Sequence, residues 1–180
     1  MAISPMKPFS KQTAVERLRD RKARRAERRG LTTDEINLVP LSLRRSIDIG
    51  RVQLIDRSHN PFAANKILTR NNKIYWPDVP DDFTVESIAR QAVLIHELCH
   101  VWQYKKGHLS LWSYISKPGN WRYGYVFDET KAFTDYRIEE MADIAQDWYL
   151  ELKGRRATNY KKTGPKPTRQ QLIAMVSFSR

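Results

Sequence analysis

Two stretches of this chain have the period of an amphipathic helix, and in both the polar face carries metal-binding chemistry. The first runs from Val85 to Lys106 and contains His96-Glu97-Leu98-Cys99-His100. Histidines four residues apart leave the same side of a helix one turn apart, so two imidazole nitrogens can meet one tetrahedral ion. With His96 at 0° and about 100° per residue, His100 falls near 40° and Glu97 near 100°, whereas Leu94, Ile95, Leu98, Val101 and Trp102 fall between about 140° and 260°. One face is chemical and the opposite face needs a core. Thr84 or Asp82 can cap the start, Lys105 and Lys106 suit the negative end of the helix dipole, and Gly107 suits the stop.

The second stretch runs from about Phe133 to Leu152. With Glu139 at 0°, Asp143 lies near 40°, Tyr136 near 60° and Asp147 near 80°, opposite Ile138, Met141, Ile144, Ala145, Trp148 and Leu152. H-E-x-x-H needs a third ligand to make a zinc site with an open position. Glu139 is the better candidate, and Asp143 can accept the other ring N–H of a ligating histidine. Glu140 points about 100° away and suits the role less. His108 is the weaker alternative, because it lies just past the end of the first helix. Gln103 and Lys106 stand where a metzincin needs glycine and histidine, which excludes that subclass. Cys99 sits off the metal face and reads as a small buried residue, and His59 lies in a turn without a chemical partner.

Ahead of these helices, the Thr32/Glu35 pair has capping-box spacing for a short helix. Residues 51–56, 63–69 and 73–76 read as strand segments, the last two separated by the turn-prone Arg70-Asn71-Asn72. Strands followed by two long helices predict an α+β fold. At 180 residues the chain is long enough for one core without staples, and a single cysteine excludes an intrachain disulfide framework. It has no apolar run of transmembrane length and no secretory leader pattern, so the expectation is a cytoplasmic protein, with export by a route that needs no signal peptide. The net charge of +12 is uneven: residues 1–30 and 151–180 each carry +7, and residues 31–150 carry −2. This divides the chain into a basic arm (1–30), a catalytic body (31–152), and a basic linker with a short helix capped by Thr168 and Gln171 (153–180). Basic ends can attract nucleic acid, but no DNA- or RNA-binding motif accompanies them, so that partner is not favoured.

H-E-x-x-H with a downstream E-x-x-x-D resembles the gluzincin metallopeptidases. Within that group the stretches ILTRNNKIYWP (67–77), VLIHELCHVWQY (93–104) and DYRIEEMADIAQDWY (135–149) are similar to the small zincin-like proteins found with Vgr/Rhs and contractile-injection genes of bacteria. The likeness covers about half the chain. Glu139 and Ala142 match the family's E-Q-Q-A, whereas Glu140 and Met141 replace its two amides. The resemblance implies a zincin-like fold, a small mixed sheet on two long helices, with residues 73–76 as the strand beside the cleft. It also implies a Zn²⁺ peptidase acting on a peptide or protein substrate, and a secretion-apparatus partner. His96, His100 and Glu139 would bind zinc, with Glu97 as general base and Asp143 supporting a ligand. Tyr136 or His108 would donate to the carbonyl oxygen, and some of Trp112, Tyr114, Trp121, Tyr123 and Tyr125 would line the cleft. Two other readings compete: a non-catalytic zincin-fold scaffold with a structural metal, and a DNA-associated SprT-like protease, which would need a third histidine.

Overall fold

The structure is a computed structural model, described here for residues 28–59, 66–110 and 122–178. Residues 1–27 of the basic arm and the start of the 63–69 strand segment lie outside the described residues, as do Trp112, Tyr114 and Trp121. The architecture is α+β, as the order of segments predicts. Strands β1 (Arg28–Gly30), β2 (Gln53–Ile55), β3 (Leu68–Arg70) and β4 (Lys73–Tyr75) form one mixed sheet in the order β1-β2-β4-β3. The β1–β2 and β3–β4 pairs are antiparallel, and β2–β4 is parallel. The helices are α1 (Thr33–Leu38), α2 (Leu41–Ser46), α3 (Ile88–Lys106), α4 (Ile138–Leu152) and α5 (Arg169–Met175). None of them is long and apolar enough to cross a membrane.

Both long helices start later than the periodicity suggests. Phe83–Val85 and Phe133–Asp135 are single 3-10 turns, and Ser87, not Thr84 or Asp82, caps α3. The C-terminal signals behave as expected, since Gly107 ends α3 in the left-handed conformation at φ 77°. The stretch after Leu31 is two helices rather than one, because Pro40 cannot continue α1 and instead precedes α2. Arg28–Gly30, assigned to the arm from charge, pairs with β2 as an edge strand.

The sheet and both long helices share one core, in which Leu54, Ile74, Leu94, Ile95, Leu98, Ile144 and Phe178 are fully buried. Thr69 and Ile74 face α3 from neighbouring strands. Edge strand β3, not the 73–76 segment, therefore carries the side chain that touches the chemical face of α3. β4 lies one strand further in. The C-terminal segment docks on the apolar side of both long helices: Trp102 Nε1 donates to the Phe178 carbonyl at 3.2 Å, and the Phe178 ring meets Trp102 and Trp148 at 5.5 and 5.6 Å.

One buried carboxylate ties β1 to the body. Glu35 completes the capping box of α1 by accepting from the Thr32 N–H at 2.8 Å, and it also accepts from the Phe83 N–H at 3.0 Å. Arg29 grips it with both terminal nitrogens at 2.7 and 2.8 Å. Burial alone would raise the Glu35 pKa, but Arg29 and the two backbone donors outweigh it and hold the carboxyl below its ordinary value. Removing one partner of such a pair strands the other, so Glu35→Ala is expected to cost about 3 kcal/mol in urea denaturation. The ionised pair stabilises the fold above the ordinary carboxyl value of 4.5, and that contribution is lost as pH falls through the lower folded value. The acid limb of wild-type stability should therefore be steeper than that of Glu35→Gln.

Candidate metal centre

Helices α3 and α4 pack against each other through small residues. Ala92, Cys99, Ala142 and Ala145 have no exposed surface, which lets the backbones approach closely. Two glutamines of α3 brace the pair on either side of the histidines. Gln91 Oε1 accepts from the Tyr149 hydroxyl at 2.9 Å, and Gln103 Nε2 donates to the Ile138 carbonyl at 2.8 Å.

Between these braces the sequence-predicted ligands converge. Glu139 Oε2 lies 3.3 Å from His96 Nε2 and 3.4 Å from His100 Nε2. Ligands at 2.0–2.1 Å in a tetrahedron stand about 3.3–3.4 Å apart, so both edges match a zinc ion. Glu139 Oε2 is buried and has no hydrogen-bond partner. An unsatisfied buried carboxylate oxygen is costly, and a cation among the three atoms removes that cost. Among the described residues this is the one group of His, Cys, Asp or Glu side chains close enough to share an ion.

Of the other ring nitrogens, that of His100 is hydrogen-bonded, whereas that of His96 has a carboxylate close by but outside hydrogen-bond geometry. His96 Nδ1 lies 3.3 Å from Asp143 Oδ1, and His100 Nδ1 lies 2.8 Å from Gln103 Oε1. An N–H on each Nδ1 leaves both Nε2 lone pairs for a metal. Glu97, the neighbour of His96 on the chemical face, accepts from the Thr69 hydroxyl at 2.7 Å. All four groups are nearly buried, with His96 and Glu97 each 6% exposed.

Three carboxylates around two imidazoles leave the site short of positive charge. Burial works against the His96 imidazolium, but Asp143 and Glu139 more than offset it and push its pKa up to about 10. His100 is also raised, against its burial, chiefly by Glu139. Burial works against the Glu139 carboxylate, and the two histidines still pull its pKa down to about 2. Burial, reinforced by Glu139, Asp143 and Glu97, pushes the Cys99 thiol up, and its sulfur is not among the ligand atoms that converge here.

Other candidates fall elsewhere. Tyr136 precedes α4 instead of lying on its first turn. Its hydroxyl accepts from the Asp128 N–H at 2.9 Å and contacts the Asp128 carbonyl at 3.1 Å. The His108 ring packs 5.2 Å from Trp102, on the apolar side of α3. Glu140 caps α4 by accepting from the Arg137 N–H. An aromatic neighbour of the site is Tyr123, whose ring stacks on His96 at 6.3 Å with the planes 27° apart. Partial burial, then Glu139, Glu97 and Asp143, push its hydroxyl up to about 12.

Two aspartates of α4 place that tyrosine. Asp143 Oδ2 accepts from the Gly124 N–H at 2.6 Å, and Asp147 accepts from the Tyr125 hydroxyl at 2.9 Å and the Thr158 N–H at 2.8 Å. Gly124 has φ 78°, and a Cβ there would stand 3.2 Å from the Asn159 carbonyl oxygen, so the turn requires glycine. Sequence reasoning missed Gln103, Thr69 and Gly124. Gln103 had a signal, since it lies one turn after His100 on the same face. Thr69 is 28 residues from Glu97 and had none.

Zinc should bind at 1:1 in calorimetry, and Gln103→Ala or Asp143→Asn should weaken it roughly 10–100-fold. The metal must displace protons from the histidines, so affinity should rise with pH towards about 10, the His96 value. The metal-free protein should show the opposite trend. Its charged histidines stabilise the fold fully below their ordinary value of 6.5, and that contribution fades as pH rises through the higher folded values. Thermal denaturation with and without zinc across this range checks both signs.

No protein-family model matches the chain. Over 132 residues it is 31% identical to the type VI secretion system spike protein VgrG2b of Pseudomonas aeruginosa, an alignment that covers 68% of this chain and 13% of the spike protein. The chain thus spans about an eighth of that relative's length. The solved effector domain of Pseudomonas aeruginosa VgrG2b matches with a TM-score of 0.60 and 28% identity, covering 69% of this chain and 75% of the domain. The chain is a homologue of a type VI secretion effector domain, with a buried His96–His100–Glu139 cluster able to hold a metal ion.

Proposed function

We propose that this chain is a zinc-dependent peptide hydrolase that acts as an effector of a bacterial type VI secretion system. The observation that carries the reading is the Glu139 oxygen at tetrahedral ligand spacing from two imidazole nitrogens, with the Glu97 carboxylate beside them. Zinc bound there would polarise a scissile carbonyl and acidify a water in its open position. Glu97 is then the general base that takes the water's proton and passes it to the leaving amine. Thr69 steadies Glu97 from the edge of the sheet, donating to one oxygen and leaving the other for the water. In this reading Tyr123, rather than Tyr136 or His108, donates to the carbonyl oxygen as charge develops on it, and the stacking of its ring beside His96 supports the choice.

A third ligand from an acidic residue of α4 favours the gluzincin arrangement over the SprT-like one, because His108 packs against Trp102. Homology to the VgrG2b effector domain supports the secretion assignment and makes a spike component the expected partner. We take the body, residues 31–152 extended by β1, as the hydrolase, with the basic segments as its attachments.

The test is cleavage of fluorescently labelled casein by zinc-loaded protein, with zinc content measured in the same samples. Glu97→Gln should retain stoichiometric zinc and lose roughly 10²–10⁴-fold in rate. Tyr123→Phe should lose about 10²-fold, mainly in kcat, with zinc affinity unchanged. Full activity in Glu97→Gln would refute the mechanism.

A further inference from the structure

On the side of the sheet away from α3 lies a second polar feature that the hydrolase reading does not use. Thr69, Ile74 and Leu54 form one cross-strand row, and Thr69 bonds Glu97 of α3, so this row faces the helix. Side chains alternate between the faces of a sheet. The adjacent row, Arg70, Lys73 and Gln53, therefore projects from the opposite face. There Arg70 and Lys73 stand directly across from each other in the β3–β4 hairpin, and both are exposed. Like charges directly opposite destabilise a strand pair. Among the described residues neither has an ion-pair partner, and Arg51 alongside them pairs only with Asp48 at 3.1 Å.

These three cations surround a cleft of about 690 Å³, with Asn71, Asn72 and Tyr75 also in its wall and no carboxylate lining it. The volume lies within the range of roughly 300–1,000 Å³ usual for small-ligand sites. Its cations do not reflect a basic body, since residues 31–150 net −2. Asn71, at φ 53°, makes the tight turn that brings Arg70 and Lys73 together at its base.

We propose that this cleft binds a phosphoryl group, carried either by a soluble phosphate ester or by a lipid headgroup. A tetrahedral, multiply charged oxyanion can accept from two guanidinium groups, one ammonium and the turn amides together, whereas a lone carboxylate satisfies one guanidinium. Ligand binding would offset the repulsion built into the Arg70–Lys73 pair. The site does not depend on the metal centre, because Thr69 and Arg70 are successive residues of one strand and face opposite sides of the sheet.

The experiment titrates the whole protein with inorganic pyrophosphate at constant ionic strength, by calorimetry, beside Arg70→Glu and Lys73→Ser. Arg70→Glu places opposite charges across the hairpin, so its Tm without ligand should rise above wild type while pyrophosphate affinity falls at least tenfold. Lys73→Ser should weaken binding in the same direction, and it keeps the test valid if the first variant folds poorly. Sedimentation with phosphatidylcholine vesicles, with and without phosphatidylglycerol, separates the two sources. Arg70-dependent binding to the anionic vesicles, competed by pyrophosphate, identifies a headgroup. Pyrophosphate binding without it identifies a soluble ester. Pyrophosphate affinity equal in wild type and both variants, or no binding beyond that of chloride, overturns the proposal.

Discussion

A carboxylate buried between two imidazoles is the constraint around which this molecule is arranged. Glu139 reaches from α4 to the two histidines of α3 and leaves one oxygen without a hydrogen bond. Such an arrangement is costly in a core unless a positive charge sits at its centre. The raised histidine pKa values and the lowered Glu139 value express the same demand: without a metal, protons are drawn in to supply the charge. Much of the surrounding structure holds this geometry. The alanines and Cys99 permit the close helix approach, and Gln91 and Gln103 fix the relative position of the helices.

The supports extend outward in a traceable order. Asp143 has one oxygen near a histidine ring and the other on the Gly124 backbone, so the orientation of a candidate ligand is linked to the segment that carries Tyr123. One turn later Asp147 pins Tyr125 and residues 158–159 to the same helix. The C-terminal segment packs behind the pair through Leu172 of α5 and Phe178 beyond it, away from the chemistry. At the other end of the chain, Glu35 and Arg29 secure β1.

The parts legible in the sequence were those governed by local periodicity. His96, Glu97 and His100 share a face because of helical geometry alone, and Glu139 and Asp143 repeat that logic in a second apolar pattern. The capping boxes at Thr32 and Thr168 formed because their hydrogen bonds span three residues. What could not be read were contacts between distant segments. Thr69 meets Glu97, Gly124 meets Asp143, and Arg29 sits in a strand although charge assigned it to the basic arm. Tyr136, expected as a donor to the carbonyl oxygen, instead engages Asp128, for a related reason. Its angle was counted on a helix that begins two residues after it. Net charge was informative only when divided by segment, which separated the basic ends from a near-neutral body and made the cationic cleft beside β3 distinctive.

The central claim is that α3 and α4 together build one mononuclear zinc site from two histidines and a glutamate. Anomalous diffraction at the zinc edge, on crystals of protein purified without chelator and supplied with zinc, tests it most directly. The account predicts a single full peak bonded to His96 Nε2, His100 Nε2 and Glu139 at about 2.0–2.2 Å, with Cys99 uncoordinated. A peak elsewhere, zinc held by the Cys99 sulfur, or no peak despite ordered α3 and α4 would contradict it.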